Sequence, residues 1–254
     1  MNIRLLISII AAFILVSCST FTHTTTYEYK NLSISDVSDS ITDQQFDAVL
    51  QPYKEEIDQK MSEVIARSNN GMASYRPESP LSNFLTDLLL KSAKYYCKKN
   101  ELDIKPQIAL FNHGGIRASI PKGEIRIRNA YEIMPFENEM VMVLLTGKQV
   151  IILADYIATR KGEGVAGISF GMMTDKAIDI KIQGMKVDEN KHYWLVTNDY
   201  IANGGDGMKV LTWASERIDT GWKLRDVIIE GLQFMDKNDQ TIDAETDGRI
   251  YYVD

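Results

Sequence analysis

Apolar residues recur at helical spacing early in the chain. Phe46, Val49, Leu50, Tyr53, Ile57, Met61, Val64 and Ile65 make one stripe. Thr42-Asp43-Gln44-Gln45 offers a capping box ahead of it, and Gly71 lies just past its expected end. Ser79-Pro80 opens a second helix, with proline suited to the first helical position. Leu81, Phe84, Leu85, Leu88 and Leu89 are its core stripe, which Tyr95 and Tyr96 continue. From residue 107 the period changes. Candidate strands cover 107–111, 124–127, 140–145, 167–173, 178–182, 193–198 and 249–253, with helices at 147–160 and 222–235. Gly184, between Ile182 and Met185, predicts a tight turn. The run Met140-Val141-Met142-Val143-Leu144-Leu145 reads as a strand covered on both faces. These patterns predict an α+β (mixed α/β) class, a single domain over residues 42–254 with helices packed on a mixed sheet.

The first 41 residues follow another pattern. Arg4 precedes an apolar stretch, residues 5–16, too short to span a bilayer comfortably. It runs into Leu15-Val16-Ser17-Cys18, which resembles a bacterial lipobox; a simple secretory signal or a short membrane anchor are the alternatives. Residues 1–18 therefore read as a lipoprotein signal with lipidation at Cys18, which would anchor the chain to a membrane of the bacterial cell envelope without embedding it. Residues 19–41, rich in Thr and Ser, read as a flexible tether. Cys97 is then left without a disulfide partner, and its helical setting suits a buried small hydrophobe. The formal net charge of −7 disfavours nucleic acid as a partner.

Candidate chemistry gathers where glycines follow strands. Tyr200-Ile201-Ala202-Asn203-Gly204-Gly205-Asp206-Gly207 follows the apolar run 193–197, and Phe111-Asn112-His113-Gly114-Gly115-Ile116-Arg117 follows Ile108-Ala109-Leu110. Glycines let a ligand approach closely, although Asn-Gly and Gly-Asp also make ordinary turns. Phe136 on its own suits core packing, Arg117 a surface ion pair and Asp206 a turn cap.

Taken together, Asn-x-Gly-Gly-Ile-Arg, the Pro-Phe-x-Asn of Pro135-Phe136-Glu137-Asn138, and Asn-x-x-x-x-Asn-Gly-Gly-Asp-Gly resemble, in that order, the substrate-binding C-terminal domain of the 5'-nucleotidase family. The resemblance implies that Phe136 and Tyr200 sandwich a nucleobase and that Asp206 accepts hydrogen bonds from ribose hydroxyls. It places Asn138 near the base edge, and Asn112 and Arg117 on the phosphate side. Arg76 matches a further phosphate-side arginine and Gly164 a close-approach glycine near the base, both with shifted spacing. His113 and Glu137 stand where the family often has glycine, one beside the phosphate and one where base preference is set.

The same family hydrolyses phosphate esters with a two-metal centre in a separate N-terminal domain, built around Asp-x-His and Gly-Asn-His-Glu motifs. Neither motif occurs in this sequence, and its three histidines, His23, His113 and His192, are scattered. No Gly-x-Ser-x-Gly elbow or Walker-type loop occurs either. The expectation is therefore a nucleotide-recognition domain, with no cofactor or metal site and no catalytic residue of its own, whose hydrolysis needs a separate metallophosphatase chain carrying the divalent metals. The alternatives are a stand-alone nucleotide- or nucleoside-binding envelope lipoprotein and a purely structural module. The lipobox yields a direct test: mass spectrometry should find the mature chain beginning at an acylated Cys18, and Cys18→Ser should leave an unprocessed precursor. A wild-type chain cleaved elsewhere and free of lipid contradicts it.

Overall fold

The computed structural model describes residues 27–29 and 43–253 of the 254-residue chain. The stretch read as a lipoprotein signal, with Cys18, and most of the stretch read as a tether, with His23, lie outside the described residues. The chain divides into two units, Met1–Leu50 and Gln51–Asp254. In the first, the Tyr27 and Tyr29 rings lie 6.2 Å apart and exposed. Helix α1 (Gln44–Met61) begins there, capped by Asp43 Oδ1, which accepts from the Gln45 and Phe46 amides at 3.0 and 3.2 Å.

The apolar stripe does not continue as one helix. α1 ends at Met61, and Val64 and Ile65 belong instead to strand β1 (Val64–Ser68), ahead of Gly71. β-Branched residues suit a strand, and β1 pairs antiparallel with β3 (Gly123–Arg126), burying Ile65 and Ala66. α1 itself buries no residue; Phe46, Val49, Tyr53 and Ile57 are all exposed.

Helix α2 (Pro80–Lys99) starts as the sequence predicts, with Ser79 and Ser82 forming a capping box and Pro80 at the first position. Tyr95, however, is exposed, and Tyr96 packs edge-on against Trp222 with ring centroids 5.0 Å apart. The remaining elements are β2 (Pro106–Phe111), α3 (Ile127–Ile133), β4 (Glu139–Thr146), α4 (Gly147–Thr159), β5 (Gly164–Ala166), β6 (Ile168–Met173), β7 (Lys176–Ile182), β8 (Met185–Lys186), β9 (His192–Asn198), the short α5 (Asp199–Ala202), β10 (Glu216–Lys223), α6 (Leu224–Lys237) and β11 (Ile250–Tyr252). Gln183 and Gly184, both at positive φ, form the turn between β7 and β8.

A five-stranded mixed sheet, ordered β10-β4-β9-β2-β5, is the centre of the second unit. β2 and β9 run parallel, and every other neighbouring pair is antiparallel. Alternate residues feed two cores. Met140, Met142, Ala109, Phe111 and Val196 join the cluster that includes α2, α3 and α6 residues. Val141, Val143, Leu145, Ile108, Leu110 and Leu195 join the cluster with α4 and the four-stranded sheet β11-β6-β7-β8. Both faces of β4 are thus covered, and each fully buried large side chain such as Phe111 or Phe170 contributes roughly 1.5–3 kcal/mol. Cys97 is buried in the first of these cores 3.7 Å from the Met142 sulfur, and burial pushes its thiol pKa up.

Gly147 begins α4 against a neighbouring loop. Its amide donates to Lys191 O at 2.8 Å, and a Cβ there would sit 2.0 Å from Asp188 O. Gly147→Ala should therefore cost about 1–3 kcal/mol through overpacking, read as a melting temperature lowered by roughly 2–4 °C per kcal/mol. An unchanged melting temperature contradicts the tight contact.

Candidate functional site

Strand direction collects the site at one end of the five-stranded sheet. β2 and β9 both finish there, at Phe111 and Asn198. β4 begins there, with Met140 opposite Asn198, and β5 begins there, with Gly164 opposite Phe111. The loops carrying Asn112, Phe136, Asn138, Glu163 and Tyr200 therefore emerge side by side.

Asn198 caps α5 by accepting from the Ile201 amide at 2.7 Å, and its Nδ2 donates to Asn112 Oδ1 at 3.1 Å. Asn112, itself buried, donates to Asp206 Oδ2 at 2.9 Å. The Tyr200 hydroxyl donates to Asp206 Oδ1 at 3.0 Å and accepts from the Asp206 amide at 3.2 Å. Asp206 sits at φ 52°, a left-handed conformation, in a short 3-10 turn, Gly205–Gly207. Its carbonyl accepts from Tyr156 Oη at 2.8 Å and Arg160 Nη1 at 3.2 Å. Gly207 makes this approach possible, because a Cβ there would lie 2.1 Å from the Tyr156 hydroxyl.

Glu163 ties the loops together. Its side chain is 0% exposed, and Oε1 accepts from Arg76 Nη2 at 3.0 Å and Arg160 Nε at 2.6 Å. Its Oε2 accepts from the His113 amide. Arg76 is also fixed by Gly162 O, at 2.8 Å from its Nε. The His113 ring Nδ1 lies 3.0 Å from Ser74 Oγ. Burial, with Arg76 beside it, pushes the His113 imidazole pKa below the usual histidine range, Glu163 acting in the opposite sense.

On the other flank, Asp199 Oδ1 accepts from Asn138 Nδ2 at 2.8 Å, the Tyr200 amide at 2.8 Å and the Glu139 amide at 3.3 Å, joining the loop before β4 to the turn after β9. Phe136 and Tyr200 are exposed aromatic residues, 42% and 47% of their surface open to solvent. Arg117 is exposed; its Nη1 donates to Gly114 O at 3.3 Å, and no carboxylate pairs with it among the described residues. Gly164 is buried, and a Cβ there would touch Phe111 O, Ser82 and Thr86 at 3.2 Å, so strand and helix packing already calls for glycine. Glu137 pairs with Arg225, whose guanidinium lies 4.1 Å from the Tyr131 ring centroid.

Sequence reasoning missed Glu163, Arg160, Tyr156 and Asp199, and gave no role to Asn198, the first residue of the third motif. The available signals were a lone acid in the small and apolar stretch 162–168, an arginine three residues before it, and an Asn-Asp pair directly ahead of Tyr200. His192 begins β9 and is exposed, and among the described residues no group of three or more His, Cys, Asp or Glu gathers to hold a metal ion. A separate groove of about 880 Å³ between α2 and α6 is lined by Phe84, Leu88, Trp222 and Phe234. Its arginine, Arg249, is held by Asp87 and Asp247, and it shares no residue with the sheet-end cluster.

The arrangement is a polar, arginine-bearing cluster at one sheet end with two exposed aromatic residues on its loops, and comparison with known proteins places the chain in a family. The chain belongs to the 5'-nucleotidase C-terminal domain family, whose description, "5'-nucleotidase, C-terminal domain", matches residues 62–213, more than half of the chain. It is 27% identical over 225 residues to the trifunctional nucleotide phosphoesterase protein YfkN of Bacillus subtilis, covering 80% of this chain and 15% of that protein. It is 35% identical over 119 residues to protein UshA of Escherichia coli, covering 45% of this chain and 22% of that one. Among solved structures, the 5'-nucleotidase precursor of Thermus thermophilus superposes with a TM-score of 0.68 at 29% identity, over 82% of this chain and 43% of that chain. The chain thus spans less than half the length of each of these relatives.

Proposed function

We propose that the sheet-end cluster is a nucleotide-recognition site that works in nucleotide catabolism with a metallophosphatase carried on a separate chain. The observation that supports it most is the convergence of two exposed rings, one organised carboxylate and the arginines Arg76 and Arg117 at one sheet end, where ligands of α/β sheets collect. Each part matches a piece of a nucleotide. Phe136 and Tyr200 offer flat apolar faces for a base, and Asn138 keeps its carbonyl oxygen for a base-edge donor. Asp206 retains acceptor capacity for ribose hydroxyls. Arg117, without an acid partner among the described residues, and Arg76 suit a phosphate, with Asn112 beside them. Hydrolysis itself needs metal-held oxygens, which the partner chain would supply; a lipid at Cys18 would keep the domain at the cell envelope.

Calorimetry with AMP and adenosine tests the reading. Phe136→Ala and Tyr200→Ala should each weaken both ligands by roughly 1–3 kcal/mol, the scale of one base stack. Arg117→Ala should weaken AMP and spare adenosine, because only AMP carries the phosphate. Folded variants that all bind like the wild type, or a wild-type chain that binds neither ligand, would sink the site.

A further inference from the structure

We infer that Arg160 is the positioning residue that makes this site select ribonucleotides over deoxyribonucleotides; the inference rests on the nucleotide reading above. Arg160 follows α4 and reaches both ends of Asp206. Its Nη1 donates to the Asp206 carbonyl at 3.2 Å, and its Nη2 stands 3.5 Å from Asp206 Oδ2. Among the described residues it is the one cation paired with that carboxylate.

The other groups on Asp206 are neutral. Asn112 and the Tyr200 hydroxyl each hold one carboxylate oxygen, and the Tyr156 hydroxyl shares the carbonyl. Tyr200 is also one of the exposed rings offered to the base. Arg160 is held from behind by a buried acid. Its Nε is anchored on Glu163, whose side chain is fully buried and also held by Arg76 and the His113 amide. A planar guanidinium fixed at Nε sends its two other nitrogens in set directions. Main-chain carbonyl and side-chain carboxylate of one residue are thereby clamped together, in a left-handed conformation that a non-glycine residue adopts at some cost.

A carboxylate so oriented has lone pairs left for vicinal hydroxyls, and two hydroxyls use it better than one. Loss of Arg160 should therefore penalise a ribose, which needs Asp206 in a fixed place, more than a deoxyribose, which offers one hydroxyl fewer.

Calorimetry of AMP and deoxy-AMP on the wild type, Arg160→Ala and Arg160→Lys reads the claim, alongside hydrogen exchange of the amides at 203–208 without ligand. Arg160→Ala should weaken AMP about tenfold more than it weakens deoxy-AMP, the scale of one lost charge-assisted hydrogen bond, because any loss transmitted through Glu163 and Arg76 falls on both ligands alike, and it should speed exchange in the loop. Arg160→Lys, which restores the charge without the fork, should recover part of the preference. Equal weakening of both ligands, or an unchanged ratio, overturns the selectivity claim. If the wild-type chain binds neither nucleotide, the nucleotide reading has failed and selectivity falls with it. Exchange then judges the clamp alone, and unchanged exchange in a folded Arg160→Ala chain overturns that too.

Discussion

One buried carboxylate holds the site in shape. Glu163, with its side chain shut off from solvent, carries Arg76, Arg160 and the amide of His113 at once. A buried acid is costly unless charge and hydrogen bonds compensate it, and here both oxygens are used. Each partner belongs to a different loop, so the compensation of one charge fixes the positions of three segments. Asp206 is reached through Arg160, and Asn112 adjoins the His113 amide. The two arginine side chains stay partly exposed, 34% for Arg76 and 27% for Arg160, while the acid they share is shut off from solvent.

The sheet provides the frame on which this acid acts. Because β2 and β9 run parallel between antiparallel neighbours, four strand ends meet at one edge, and the two cores stiffen the strands from both faces. Asp199 plays the corresponding part on the other flank, where a single oxygen takes two main-chain amides and the Asn138 side chain. Rigid elements thus place short loops, and the exposed rings of Phe136 and Tyr200 are left at the rim.

Much of this was legible in the sequence. The apolar runs 140–145 and 193–198 and the capped helix from Ser79 are where the pattern puts them, because burial on both faces and a defined cap leave few alternatives. The two glycine motifs do follow β2 and β9, and the loop with Phe136 and Asn138 leads into β4 at the same edge. What escaped was either short or polar. β5 has three residues, α3 seven, and the edge strand β10 carries charges that blur its alternation, as edge strands commonly do. The helical stripe ran on through Val64 and Ile65 because apolar spacing alone does not show where a chain turns to pair with a distant strand. Glu163 was invisible for a related reason: an acid in a small-residue stretch says nothing of the two arginines it will meet, one of them 87 positions away.

A crystal structure of the chain with AMP is the most direct measurement of the central claim. Adenine lying between the Phe136 and Tyr200 rings, with the ribose hydroxyls on Asp206 and the phosphate towards Arg117 and Arg76, is the expected result. AMP seated in the groove between α2 and α6, or elsewhere with both rings free, would contradict it.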